Sequence, residues 1–346
     1  MARSTDTYIP IVPPKEMHRH MPLFQRQVPF SLAVAVRAVL FSCPKITSWA
    51  LVMIPGVRLV RASGALSRLI LACILSATAL ADDTPAQPQT LQYPLAVACG
   101  DNDRIYIADR LLPGVWTYSN GALKLLAQGE KRFRTPLNAV RAVAVGVDNA
   151  VYVGASATRE IYRLEENQPP TPLTSGSIGI PVDIAVDSKG SLFVSDLESQ
   201  RIWKISPDGS PPQELVQLAA PRGLFFDSSD TLWAIAASGD QPLVKILADG
   251  SVTPVVKSRA FEFPHDVVIA ADGRAFVSDN YAGCIWQVTP NGQVEPFVRD
   301  TPLVGPVGLS LKDNSLIVAD PKANAIFSVD LTAESSPTVT RLIGSP

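Results

Sequence analysis

The sequence predicts an all-β protein: a six-bladed β-propeller of four-stranded blades, following a cleavable N-terminal signal segment. Three observations predict it. A repeated unit is anchored at Pro94, Val140, Pro181, Pro221, Pro264 and Pro306, with spacings of 46, 41, 40, 43 and 42 residues. Every unit contains short runs rich in valine, isoleucine and aromatics, side chains that suit a pleated, half-buried surface. Asn-Gly or Asp-Gly pairs punctuate four of the six units. A period of ~40–45 residues with strand chemistry throughout is that of a propeller with one blade per repeat.

Each repeat reads as strands a to d. Strand a follows the anchor, as in Ile184 to Val186, Leu224 to Phe226 and Val267 to Ile269. Strand b closes on an aspartate in four units, at Asp109, Asp196, Asp279 and Asp320. These acids are expected to build turns, with loop backbone or with arginines such as Arg201. Strand c carries Trp116, Trp203 and Trp286, expected to pack between blades rather than to stack on a ligand. The c–d connections Asn120-Gly121, Asp208-Gly209, Asp249-Gly250 and Asn291-Gly292 read as two-residue hairpin turns. Glu165-Glu166-Asn167 and Asp330-Leu331-Thr332 replace them in the second and sixth units and imply longer turns. A blade cannot bury its own faces, so the ring must close. Thr90-Leu91-Gln92 is a candidate extra strand beside the sixth blade.

The first part of the chain lies outside the repeat. Arg58, Arg61 and Arg68 precede an apolar run from Leu69 to Ala81, which ends Ala79-Leu80-Ala81 before Asp82-Asp83. A basic region, an apolar run and small residues at the cut describe a secretory signal peptide. The run is shorter than the ~20 residues a membrane-spanning helix needs. Met53 gives such a segment an ordinary length, so residues 53–81 read as the signal peptide. Residues 1–52 read as an unstructured upstream extension, and residues 82–346 as the propeller. The expected location is therefore periplasmic or secreted, without a stable membrane span after cleavage.

Residues 82–346 carry 21 basic and 30 acidic side chains, a formal charge of −9, which argues against nucleic acid as a partner. Of the four cysteines, Cys99 and Cys284 fall in this part, on blades that are not neighbours, so no bridge between them is expected. The implied partner is a small molecule, a peptide or a cell-envelope protein, bound by a monomer.

Propeller topology places the d–a and b–c loops on one face, and the residue pair after each anchor at the mouth of the central channel. In blade order these pairs are Leu95-Ala96, Arg141-Ala142, Val182-Asp183, Arg222-Gly223, His265-Asp266 and Val307-Gly308. Arg141, Asp183, Arg222, His265 and Asp266 are the ionisable members, and Asn280 and Tyr281 on the fifth b–c loop face the same way. These seven are the candidate ligand-binding residues. His265, the only histidine after the predicted cut, is the candidate catalytic acid or base. It could equally hydrogen-bond backbone and orient its loop. Asp183 and Asp266 are the candidate ligands for Ca²⁺ or Mg²⁺, hard cations that take carboxylate oxygens. They could instead accept backbone N–H groups at the strand starts.

The sequence Pro181-Val182-Asp183-Ile184-Ala185-Val186-Asp187, then Gly190-Ser191-Leu192-Phe193-Val194-Ser195-Asp196, then Arg201-Ile202-Trp203, resembles the repeat of the NHL family of propellers. The likeness extends over residues 94–346 and reaches the related six-bladed SMP-30/gluconolactonase-like superfamily. That resemblance implies lactonases, lyases, sensor domains or binding scaffolds. Family lactonases hold a divalent metal with an early glutamate, asparagines at inner strand starts and a late aspartate. Here Leu95-Ala96 and Pro221-Arg222-Gly223 stand at such places, and only Asp266 matches. Pro264-His265-Asp266-Val267 looks like a blade of the peptidyl hydroxyglycine lyase propeller, which implies one zinc histidine per contributing blade. Leu95, Arg141, Val182, Arg222 and Val307 occupy the equivalent positions, so a three-histidine site cannot form. Streptogramin-type lyases imply histidine and glutamate with Mg²⁺, and a single histidine leaves that open. The reading is a ligand- or protein-binding module, with a metal-dependent hydrolase or lyase as the alternative.

Overall fold

The computed structural model describes residues 90–344 except 238, 300 and 333–336. The expected extension (1–52) and signal segment (53–81) lie outside the described residues. Six four-stranded antiparallel sheets follow one another, and in each the strands pair in chain order. Five inner strands begin at the predicted anchors: Pro94–Cys99, Val140–Val145, Pro181–Val186, Pro221–Phe226 and Pro264–Ile269. The sixth, Gly308–Lys312, starts two residues after Pro306. Each inner strand lies beside the inner strand of the next blade, and the sixth lies beside the first, so the ring is complete.

The core is divided into six clusters, one in each gap between neighbouring blades. Phe276 and Ile285 of blade five meet Leu316, Val318 and Phe327 of blade six, for example. This follows from the alternation of the strands: one face of each sheet packs on the preceding blade and the other on the following one.

Ring closure needs no added strand. Thr90-Leu91-Gln92 does not pair beside blade six. Instead Leu91 buries its side chain with Val97, Ile107 and Trp116 of blade one and Ile317 and Ile326 of blade six. Its carbonyl accepts Asn324 Nδ2 at 2.7 Å. On the opposite face, Lys312 and Asp103 bridge the same gap at 2.8 Å.

The hairpins differ from expectation in one respect. Of the four glycine-containing c–d pairs, only Asn120-Gly121 is a two-residue turn, with both φ angles positive (51° and 75°) and Ser119 paired to Ala122. At Asp249-Gly250 the N–H of Leu247 donates to Ser251 O, and at Asn291-Gly292 that of Thr289 donates to Gln293 O. These are three-residue loops closed by a left-handed glycine, Gly250 at 82° and Gly292 at 83°. The sixth blade has the longer turn expected, with Asp330 N–H donating to Thr338 O.

The strand-b aspartates are fully buried organisers of the channel-mouth face. Asp279 accepts the N–H groups of Glu262 (2.7 Å), Phe263 (2.9 Å), Tyr281 (3.2 Å) and Ala282 (3.1 Å), and the indole N–H of Trp286 (3.2 Å). One carboxylate thus ties the d–a loop, the b–c turn and strand c of its blade. Asp109 and Asp196 repeat the pattern with Trp116 and Trp203. Burial pushes the Asp196 carboxyl up, but hydrogen bonds from Ser199, Gly179, Trp203 and Ile180 prevail and hold it at about 2. The expected arginine is not the partner: Arg201 pairs with Glu214 at 2.6 Å. In blade two, strand b ends at Ala155, and Glu160 from strand c accepts the loop N–H groups instead.

Candidate functional site

The mouth residues sit where the inner strands slip register. Pro221 pairs with Ala236 and Leu224 with Ala234, leaving Arg222 and Gly223 in a bulge. Pro264 pairs with Asp279 and Val267 with Val277, leaving His265 and Asp266 in another. Blade two has the same slip between Val140 and Ala142, around Arg141. A bulge re-aims side chains away from strict alternation, and here it places Arg141 and Arg222 at the channel ends of the inner strands of blades two and four.

Two kinds of group result. The carboxylates turn into the ring and join blades. Asp183 Oδ2 accepts the N–H of Leu224, on blade four, at 2.7 Å. Asp266 accepts its neighbour Val267 N–H at 2.7 Å through Oδ1, and Leu309 N–H on blade six at 2.7 Å through Oδ2. Asp266 N–H in turn donates to Ser278 Oγ (3.0 Å), whose hydroxyl donates to Val307 O (2.6 Å). Burial pushes Asp183 up to about 7 against the hydrogen bonds from Leu224 and Ile184. Burial, and then the charge of Asp183, raise Asp266 well above the carboxylate range. Gly223 is required here, since a Cβ on it would lie 2.5 Å from Asp266 Cα.

The bases form the second group. Arg222 Nη1 lies 3.4 Å from His265 Nε2, and its guanidinium lies 4.4 Å over the Phe263 ring. Phe263 stacks on Tyr281 with centroids 4.5 Å apart and planes 16° apart. Arg222 Nε is buried without a hydrogen-bond partner. Arg141 Nε donates to Ser156 Oγ at 3.3 Å, and that hydroxyl donates to Ala139 O. Burial lowers the pKa of both arginines, and the charges of Arg110 and Arg222 lower Arg141 further. Burial, then Arg222 and Arg141, press His265 down to about 3.

Of the seven sequence-predicted residues, Arg222, His265 and Tyr281 gather around Phe263, and Arg141 is near enough for its charge to act on His265. Asp183 and Asp266 lie inward of them. Asn280 is engaged with the neighbouring loop, its Nδ2 donating to Gly305 O at 3.0 Å and its carbonyl accepting Lys322 Nζ at 2.7 Å. Neither Arg222–Asp183 nor Arg222–Asp266 forms an ion pair among the described residues. Sequence reasoning missed Phe263, whose only signal is its place before Pro264. It also missed Arg110, which lines a cleft of about 480 Å³ with Tyr93, Leu111, Lys131, Asn138 and Ala139.

The charges around His265 are unfavourable for a divalent cation at that residue. No three His, Cys, Asp or Glu side chains converge on one position among the described residues. His265, the one histidine among the described residues, has a guanidinium at its Nε2 and feels the charge of a second, so a cation there would meet repulsion. A pKa of about 3 also sets His265 far from the near-neutral value that suits general base catalysis.

The fold is a six-bladed propeller of four-stranded blades with an arginine- and histidine-lined channel mouth. The sequence profile of the virginiamycin B lyase family matches residues 129–336, and the chain belongs to that family. A virginiamycin B lyase from Nocardia farcinica is 26% identical over 170 residues, which take in 49% of this chain and 58% of that protein. The match therefore spans little more than half the length of that curated relative. Among solved structures, a gluconolactonase from Xanthomonas campestris has TM-score 0.59 at 16% identity, covering 70% of this chain and 87% of its own. The virginiamycin B lyase from Staphylococcus aureus has TM-score 0.57 at 17% identity, covering 72% and 84%. At such identities the structural likeness speaks for the fold.

Proposed function

We propose that this chain is an exported NHL-type propeller that binds a ligand through its channel-mouth face and does so without a divalent metal. The observation that carries the reading is Arg222, a half-buried guanidinium held over Phe263 that forms no ion pair among the described residues. A partly buried guanidinium without an acidic partner is costly unless a ligand supplies one. The ligand is a small molecule, or a short segment of a peptide or cell-envelope protein, since the mouth is ringed by the ends of inner strands. Export rests on the basic, apolar and small-residue succession from Arg58 to Ala81.

The family match favours a second reading, a lyase or hydrolase, because residues 129–336 include Arg141, Arg222, His265 and Tyr281. One experiment separates the two. The full chain, stripped with EDTA, is unfolded thermally with and without millimolar Mg²⁺ or Ca²⁺. It is also incubated with a streptogramin B and with gluconolactone in Mg²⁺. The binding reading expects no metal-dependent rise in midpoint and no product. A Mg²⁺-dependent rise together with Mg²⁺-dependent turnover would overturn it.

A further inference from the structure

We infer that the mouth of blades two, four and five is an oxyanion site, which takes a carboxylate or phosphate carried on an apolar or aromatic body. The inference deepens the binding reading and rests on it.

Three separate features converge. First, the half-buried Arg222 forms no ion pair among the described residues, and its Nη1 faces Nε2 of His265. A guanidinium presents a planar fork of donors that matches the paired oxygens of a carboxylate or phosphate. Second, the neighbouring acids are already engaged. Asp183 accepts Leu224 N–H, and Asp266 accepts Val267 and Leu309 N–H groups, so neither forms an ion pair with an arginine. Third, the adjoining cleft between blades one and two adds Arg110 and Lys131, and none of its lining residues is acidic. Arg110 is near enough for its charge to act on Arg141. A cationic mouth therefore sits on a propeller whose residues 82–346 sum to −9. The field favours an anion at this one place.

The apolar half of the ligand follows from the rim. Tyr281 is 66% exposed while stacked on Phe263, and Leu111 (48%), Phe133 (83%) and Val304 (51%) are exposed on loops of the same face. An aromatic acid can place its anion on Arg222 and its ring against the exposed part of Tyr281, whose ring also has Lys322 Nζ 5.7 Å from its centroid, a further cation for the anion.

The test titrates the full chain with sodium benzoate and with phenyl phosphate at low ionic strength. Sodium acetate and inorganic phosphate serve as probes without the ring. The readouts are calorimetry and the His265 ring resonances, assigned with His265→Gln. The expected result is saturable binding of benzoate, phenyl phosphate or both, with acetate and inorganic phosphate weaker. Arg222→Gln should weaken binding about tenfold or more, and Arg222→Lys should not restore it, because the fork is lost. Arg201→Gln, remote on strand c of blade three, should leave binding unchanged. Thermal midpoints of the Arg222 variants establish that they fold. No saturable binding of either aromatic anion, or equal binding by a folded Arg222→Gln, would overturn the inference. Absence of anion binding combined with absence of Mg²⁺-dependent turnover would remove this inference alone. Mg²⁺-dependent turnover would remove the binding reading beneath it.

Discussion

Nη1 of Arg222 lies 3.4 Å from Nε2 of His265, across the boundary between blades four and five. A guanidinium can only donate, so Nε2 must carry the lone pair and the ring proton belongs on Nδ1. Burial and the two arginines press this histidine down to about 3. Its carbon resonances should therefore stay fixed between pH 8 and pH 5. Arg222→Gln should raise its pKa without restoring 6.5, since burial, the larger cause, remains.

The same shift predicts a pH dependence of stability. The unfolded chain takes up this proton near 6.5 and the folded chain only near 3. The stability at stake is present above 6.5 and is lost as pH falls toward 3. Asp183 acts in the opposite sense. Its folded pKa of about 7 exceeds the ordinary 3.8, so its contribution is present below 3.8 and lost as pH rises through 7. The two effects oppose each other between 3.8 and 6.5. Removing the histidine should therefore leave the protein relatively more resistant to acid. Urea unfolding of His265→Gln at pH 7 and pH 4.5 should show a smaller acid loss than wild type. An equal or larger loss would show that His265 is not buried neutral.

Asp266 should prove structural in a graded way. Asp266→Ala orphans the N–H groups of Val267 and Leu309, and each buried, unsatisfied donor costs about 1–3 kcal/mol. Asp266→Asn keeps one acceptor oxygen for two donors and should lose less. Amide exchange at Leu309 should accelerate in both variants, because its partner comes from the preceding blade. Protection of Leu309 unchanged in Asp266→Ala would contradict the inter-blade bond.

Gly223→Ala tests the same seam from the other side. Its Cβ would lie 2.5 Å from Asp266 Cα and 2.9 Å from Val267 N, backbone atoms that cannot rotate away. Overpacking of this kind costs about 1–3 kcal/mol. The thermal midpoint should fall, in contrast to an alanine at an exposed strand-d position such as Glu214 of blade three. A midpoint equal to wild type would mean that the two blades do not meet this closely at Gly223.

How much of this was legible follows from the length scale of each feature. Strands and repeats are written locally, in the alternation of residues such as Leu192-Phe193-Val194 and in the recurring anchor, so the blades could be read. The mouth positions were readable too, because the bulge after the anchor recurs in blade after blade. That Asp183 and Asp266 accept backbone N–H groups at strand starts was one of the two readings; which N–H groups was not legible, since Leu224 and Leu309 lie 41 and 43 residues away, one full repeat. The segment at Leu91 was expected beside blade six as a strand, but it engages the seam through one buried side chain and one carbonyl, which leave no periodicity to read. The glycine pairs announced a left-handed residue correctly. They could not say which flanking residues would pair, so three-residue loops at Gly250 and Gly292 were read as two-residue turns.

Asp279→Ala couples the scaffold to the mouth. Its carboxylate accepts five N–H donors, including those of Phe263 and Tyr281, the stacked pair beside Arg222. Hydrogen bonds to a charged acceptor contribute about 1.5–3 kcal/mol each, though a set sharing one carboxylate is not additive, so a loss of roughly 3 kcal/mol or more is expected. Blade four has Ala236 at this position and still folds, so the variant should lose stability without losing the blade. The informative readout is local. With both loops released, the Phe263–Tyr281 stack should loosen, and the tyrosine ring resonances should broaden or shift. In Asp109→Ala, which removes the equivalent group from blade one, they should not move. Equal tyrosine spectra in the two variants would mean that the aromatic pair holds its own geometry, and that Asp279 serves the blade but not the mouth.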